Sequence, residues 1–260
     1  MALPRMKPQD GVAWITGASS GIGAAVALEL ARRGWTVAIT ARRIEALEAI
    51  ARQAEGLPGR IVAHTADVTD AQAMRSVTEA IESIHGPIAL AFLNAGIASG
   101  QGRAIDAETV ERVVGVNLLG MTKSFFAVQR RMLARGRGQI AVNASLVGYR
   151  GLPGASAYGA AKAGAIYFCE SQRFDCAAAG IRLQLVNPGF VETPMTEGRR
   201  FPMPFLLPVE EGARRIVEGF ARGGFEITFP RRLAWVMKAA RMLPYPAYFA
   251  LMGRFAGGED

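Results

Sequence analysis

Tyr158 and Lys162 stand four residues apart in Tyr-Gly-Ala-Ala-Lys. On a helix such a pair shares one face, so a phenol and an ammonium reach the same point. A free tyrosine has a pKa of about 10 and is a poor base near neutrality. A neighbouring positive charge favours the phenolate and brings that value down. The pair can then exchange a proton with a substrate oxygen near neutral pH. Ser145 lies 13 residues before Tyr158, just past an apolar strand. Its hydroxyl can donate to a carbonyl oxygen as charge develops there. Neither His64, in a strand, nor His85, near a helix end, is placed for catalysis. No histidine–acid set for hydrolysis and no metal-ligand spacing accompanies them, so no metal is expected.

A second set of residues can hold phosphate. The apolar run Val12-Ala13-Trp14-Ile15-Thr16 leads into Gly17-Ala18-Ser19-Ser20-Gly21-Ile22-Gly23. Glycines let the backbone of such a turn approach a pyrophosphate, and the N–H groups of the following helix face its charge. At the end of the next apolar run the chain reads Thr40-Ala41-Arg42-Arg43, with no carboxylate. An arginine there offers a phosphate a bidentate, charge-assisted contact. Arginine opening a helix is electrostatically unfavourable unless an anion lies near.

The elements that must position these groups alternate along the chain. Strands are expected at 12–16, 35–40, 60–65, 88–93, 139–143, 181–186 and 225–229. Helices are expected at 21–33, 43–54, 70–84, 106–134, 156–179 and 208–222. Near-continuous apolar strands between helices argue a parallel sheet covered on both faces. No linker interrupts the pattern, so residues 1–260 read as one domain.

The motifs, taken in order, resemble those of the short-chain dehydrogenase/reductase family, in its single-domain branch. They are Thr16-Gly17-x-x-x-Gly21-Ile22-Gly23, Asn94-Ala95-Gly96, Ser145, Tyr158-x-x-x-Lys162 and Pro188-Gly189-x-x-x-Thr193. The likeness spans residues 10 to about 230. It implies an α/β fold of Rossmann type, doubly wound, with a mostly parallel seven-stranded sheet. It also implies hydride transfer between a nicotinamide and a carbonyl or alcohol. Gly17, Ser19, Ser20, Gly21, Ile22 and Gly23 would cradle the cofactor. Arg42, with Arg43 and Ser19 beside it, points to NADP(H) rather than NAD. Asp67 and Val68 resemble the family's adenine-binding pair, although Asp67 fits a helix cap equally well. Asn94, Ala95 and Gly96 would support the sheet and the adenine-side ribose. Pro188, Gly189, Val191 and Thr193 would pack beside the nicotinamide, Thr193 bonding its carboxamide. A proline-ended strand with a cap at Thr193 is the plainer alternative. The likeness gives the catalytic set as Asn117, Ser145, Tyr158 and Lys162. Lys162 would hold the nicotinamide ribose, and Asn117 a water linking Lys162 to solvent. A buried helix asparagine bonded to backbone is the simpler account of Asn117.

Substrate and partners are less constrained. Residues 194–207 include Phe201-Pro202-Met203-Pro204-Phe205-Leu206-Leu207 and suit either a water-excluding wall or a packed loop. Residues 230–260 mix Arg231, Arg232, Lys238, Arg241 and Arg254 with aromatic and aliphatic side chains. Such an extension fits a lid, a subunit contact or an anionic membrane surface, and Pro244 and Pro246 should break it into two short helices. The small residues Ala160, Ala161, Ala163, Gly164 and Ala165 permit close helix approach, and the family pairs through such helices, so a homodimer or homotetramer is expected. The net charge of +8 is spread along the chain without a nucleic-acid motif, so no nucleic acid is expected. Cys169 and Cys176 would sit roughly 10 Å apart on one helix, beyond disulfide reach. With no apolar run at the N-terminus, they suggest a cytoplasmic setting, peripheral at a membrane if the C-terminal segment binds one. The chemistry reads as oxidation or reduction of a lipophilic substrate. A non-catalytic NADP-binding sensor and a membrane-associated 3-oxo-lipid reductase are the alternatives.

Overall fold

Every residue of β1 (Val12–Thr16) is buried. Alternate side chains serve two separate cores: Val12 and Trp14 pack on one side of the sheet, Ala13 and Ile15 on the other. A strand buried on both faces cannot alternate apolar with polar, which is why its sequence is continuously apolar. The computed structural model describes residues 3–98, 105–198 and 203–256.

The other strands are β2 (Thr36–Ala41), β3 (Arg60–Thr65), β4 (Ile88–Leu93), β5 (Gly138–Asn143), β6 (Ile181–Pro188) and β7 (Glu226–Phe229). They form one seven-stranded sheet in the order β3-β2-β1-β4-β5-β6-β7. All neighbouring pairs are parallel, more uniform than the mostly parallel sheet expected. Helices α1 (Gly21–Arg32), α2 (Ile44–Arg52) and α7 (Val209–Arg222) cover one face. Helices α3 (Ala71–His85), α4 (Ala107–Val114), α5 (Met121–Arg135) and α6 (Ser156–Ala178) lie on the other. Strand order reverses between β1 and β4, and ligands of such sheets bind outside the carboxyl ends of the strands at that point.

The single helix expected over 106–134 is divided. Between α4 and α5 the chain widens into a π-helical turn, Gly115–Gly120. The reason is local: glycines at both ends relax the backbone, and the wider turn carries Asn117, which is buried. Such turns favour functional sites because they re-aim one side chain without ending the helix.

The C-terminal segment forms α8 (Arg231–Met242) and α9 (Tyr245–Ala256). The break falls before Pro244, whereas Pro246 sits in the first turn of α9, where proline is tolerated.

Candidate active site

The glycine turn ends β1 and is held from β4. The Thr16 hydroxyl accepts from the N–H groups of Asn94 (3.1 Å) and Ala95 (3.2 Å). The Asn94 amide donates to the Gly17 carbonyl at 3.0 Å. Asn143, at the end of β5, donates to Asn94 Oδ1 at 2.8 Å. Three strand ends are thus stitched into one floor. Gly17 and Gly21 have φ of +66° and +57°, which a side chain resists. A Cβ on Gly17 would lie 2.5 Å from Ala95 Cα, and one on Gly23 2.4 Å from the Gly17 carbonyl oxygen. Ser20 caps α1 without a side-chain bond, so the first N–H groups of the helix can meet an anion. A Cβ on Gly21 would lie 3.3 Å from Thr193 Cγ2, so the turn faces the segment after β6. These open backbone surfaces fit an extended, phosphate-bearing dinucleotide.

At the adenine end, Arg42 is exposed beyond β2 and Arg43 is the N-cap of α2. Asp67 does not cap α3. It closes a turn by accepting from Thr69 N and Oγ1, each at 2.8 Å, while Asp70 caps the helix through Gln72 N and Ala73 N. Burial raises the Asp67 pKa, but the Thr69 bonds and then Arg42 and Lys123 outweigh it, so the carboxyl lies below its usual value. Val68 is buried and packs on Gly120, where a Cβ would come within 2.8 Å of it.

On α6, Lys162 is buried and its Nζ lies 5.6 Å from the centre of the half-buried Tyr158 ring. Lys162 donates to the Asn143 carbonyl at 2.6 Å. Burial lowers its pKa to about 8. Ser145 is extended and opens a short turn, Leu146–Tyr149, accepting from Val147 N at 3.2 Å. That turn lies directly on α6: a Cβ on Gly148 would sit 2.8 Å from the Lys162 carbonyl carbon. Asn117 bonds Ile97 twice, accepting from its N–H at 2.7 Å and donating to its carbonyl at 2.8 Å. A Cβ on Gly96 would lie 3.2 Å from Asn117 Oδ1 and 3.7 Å from Lys162 Nζ. Gly96, Asn117 and Lys162 therefore meet, and Gly148, three residues after Ser145, lies against α6 at Lys162.

After β6, Gly189 N donates to the Phe229 carbonyl at 2.7 Å, and a Cβ at Gly189 would lie 2.9 Å from Pro230 Cδ. Val191 is buried and bridges to Leu207. Thr193 begins a turn closed by the Thr196 hydroxyl, which accepts from Thr193 N at 3.0 Å and donates to the Val191 carbonyl at 2.8 Å. Phe201 and Pro202, counted in the apolar segment, lie outside the described residues.

Several groups here belong to no sequence motif. Asn143 orients both Lys162 and Asn94. Glu226 accepts from Tyr149, Lys238 and Asn187, the last at 2.9 Å. Burial pushes the Tyr149 phenol above its usual pKa, with Glu226 adding to the rise. Burial also raises Glu226, but the Lys238, Tyr149 and Asn187 bonds bring it below its usual value. Asn143 and Asn187 could have been found as polar residues ending apolar strands at the sheet edge where ligands bind.

Residues 11–202 match the family model for short chain dehydrogenase. The chain belongs to that family. It is 35% identical to an uncharacterized oxidoreductase of Myxococcus xanthus over 243 residues, covering 93% of this chain and 96% of the relative. It is 36% identical to the 3-oxoacyl-(acyl-carrier-protein) reductase of Thermotoga maritima over 193 residues, 74% of this chain and 78% of the other. Among solved structures, it aligns with a short-chain dehydrogenase of Sphingobium yanoikuyae in complex with NADPH at a TM-score of 0.75 and 28% identity. That alignment covers 95% of this chain and 94% of the other. The Rossmann-type, seven-stranded architecture implied by the sequence motifs is therefore established, as is an oxidoreductase function in the family sense. Among the described residues no acid, histidine or cysteine cluster could hold a metal ion, and no helix is long and apolar enough to cross a membrane.

Proposed function

We propose that this short-chain dehydrogenase is an NADP(H)-dependent oxidoreductase of lipophilic carbonyl or alcohol substrates, with Tyr158 as acid/base. The observation that carries the reading is the buried Lys162 ammonium, 5.6 Å from the Tyr158 ring centre and on the stretch of α6 that packs against Gly148 in the turn opened by Ser145.

The cofactor is assigned to Gly17, Ser19, Ser20, Gly21, Ile22 and Gly23 at the phosphates, Asp67, Val68, Asn94, Ala95 and Gly96 toward adenosine, and Pro188, Gly189, Val191 and Thr193 toward nicotinamide. Arg42, with Arg43 and Ser19, is assigned to the 2′-phosphate, since no carboxylate ends β2 to receive a 2′-hydroxyl. The relative bound to NADPH supports the same choice. When bound, the nicotinamide supplies or accepts the hydride at the substrate carbon. In reduction, Tyr158 gives its proton to the carbonyl oxygen as negative charge grows there, and Ser145 donates a hydrogen bond to the same oxygen. Lys162, held by the Asn143 carbonyl, stabilises the phenolate left on Tyr158. Asn117 fixes the Ile97 backbone beside Lys162, and we assign to it, on the family likeness, the water that links Lys162 to solvent. Oxidation runs through the same groups in reverse.

We assign the apolar run Met203, Pro204, Phe205, Leu206 and Leu207 to the substrate side, and it favours a lipophilic substrate, as does the likeness to a 3-oxoacyl reductase. The π-turn, α5 and α6 expose Leu119, Phe126, Leu133, Tyr167 and Phe174, and we assign this surface to a homodimer or homotetramer contact. The buried free thiols Cys169 and Cys176 fit the cytoplasmic setting we assign it. The test is Tyr158→Phe, assayed on a carbonyl panel by NADPH absorbance. Turnover should fall on the order of 100-fold or more while NADPH affinity stays within about threefold. Ordinary turnover in this variant refutes the assignment.

A further inference from the structure

The last two helices carry charge and apolar surface together. From Ile227 to Gly258 the sequence contains no Asp or Glu, yet it holds Arg231, Arg232, Lys238, Arg241 and Arg254. That is five positive charges in a chain whose net charge is +8. Lys238 is bound to Glu226, whereas Arg231, Arg232 and Arg241 are exposed. Interleaved with them, Trp235 is 71% exposed, Met242 83%, Tyr245 68% and Phe249 63%. The Tyr245 and Phe249 rings stack at 5.6 Å. Leu233, Ala234 and Met237 turn α8 toward the core, but in α9 Tyr248 is the one buried residue among those described.

What covers this surface must accept both cations and aromatic rings. A two-fold contact with a second copy sets each patch against itself. Arg231, Arg232 and Arg241 would then meet a patch of the same sign, with no carboxylate between Ile227 and Gly258 to pair them and only Glu259 and Asp260 beyond. An anionic lipid surface satisfies both needs: phosphates for the arginines, and the headgroup boundary for Trp and Tyr rings.

We propose that α8 and α9 form a peripheral docking surface for anionic phospholipid membranes. The surface is coupled to the candidate site. Arg150, five residues after Ser145, donates to the Arg241 carbonyl at 3.0 Å and the Leu243 carbonyl at 3.2 Å. Its guanidinium lies 4.9 Å from the Tyr245 ring centre and 4.5 Å from that of Tyr248. Tyr248 in turn donates to the Gly151 carbonyl. Docking through α8 and α9 therefore holds the turn that follows Ser145 near the lipid, where a lipophilic substrate is concentrated. The attachment itself does not depend on how the site is read.

The test is co-sedimentation of the full chain with vesicles of phosphatidylglycerol mixed with phosphatidylcholine, and with phosphatidylcholine alone. The protein should pellet with the anionic vesicles at low salt, be released as salt rises, and ignore the neutral ones. Trp14 and Trp35 are buried, so a blue shift of tryptophan emission on binding reports Trp235. Removing two interfacial cations, Arg231→Gln with Arg232→Gln, should weaken partitioning by about 30-fold. A wild-type protein that stays in the supernatant at low salt overturns the proposal, as does undiminished binding by the double variant. If the wild type ignores vesicles and Trp235→Glu lowers its mass by light scattering, the face belongs to a second copy and the proposal fails.

Discussion

Replacing Lys162 by methionine should make the protein more stable and inactive. The ammonium is buried, and burial brings its pKa from 10.5 to about 8. That difference means the folded state disfavours the charged amine by about 3 kcal/mol relative to the unfolded chain. Methionine has a similar unbranched length and needs no solvation. Against this, the Asn143 carbonyl loses the donor it has at 2.6 Å, a loss of about 1 to 2 kcal/mol. The net expectation near pH 7 is a gain of about 1 to 2 kcal/mol. The sign with pH follows from the folded value lying below the unfolded one. Below about 8 both states hold the proton, and the full penalty is present. Between about 8 and 10.5 the unfolded chain keeps a proton that the folded chain has released, so the wild type gains stability as pH rises. The advantage of Lys162→Met should shrink through this window and reverse at its upper end, where a neutral amine still serves Asn143. Urea unfolding without nucleotide, at about pH 7 and about pH 10, measures both midpoints. A variant less stable than wild type at neutral pH, with a difference that does not move with pH, refutes the reasoning.

Two further substitutions probe the cofactor cleft. Gly23→Ala places a methyl 2.4 Å from the Gly17 carbonyl oxygen and 2.5 Å from Asn94 Nδ2. The turn must open, at a cost of about 1 to 3 kcal/mol, so both the melting temperature and NADPH affinity by fluorescence titration should fall; unchanged affinity means the turn does not hold the cofactor. Arg42→Ala removes a charge-assisted contact worth about 1.5 to 3 kcal/mol, so KM for NADPH should rise about 10- to 100-fold while KM for NADH changes little. If the two cofactors suffer equally, Arg42 is not at the 2′-phosphate.

The fold was legible because its signals are local. β4 spans the expected 88–93, since a buried parallel strand reads as an apolar run bounded by turns, and the half-buried edge strand β3 spans the expected 60–65. Gly17, Gly21 and Gly23 could be picked out because each serves a backbone need that no other residue meets. The division of the long helix could not be read, because Val113, Val114, Val116 and Leu118 keep a helical pattern straight through the π-turn. Only the added residue per turn, a backbone matter, brings Asn117 to Ile97. The Tyr149–Asn187–Glu226–Lys238 cluster was equally hidden, as its members come from four elements and meet only when β7 pairs with β6.

That cluster braces the turn beside the proposed catalytic set at the end of the sheet. Burial makes the Lys162 charge easier to lose, though it persists below about pH 8, and the proposed role of Tyr158 needs that charge nearby. Holding both demands rigid neighbours: the Asn143 carbonyl on one side and the Gly148 backbone against α6 on the other. The turn carrying Ser145 is then braced from outside, by Tyr149 on Glu226 and by Arg150 on the carbonyls of α8 and its end. The C-terminal helices thereby become part of the support for the proposed site. Loss of Arg150 should loosen Ser145 before it unfolds the sheet, since the strands keep their ladder and both cores without it.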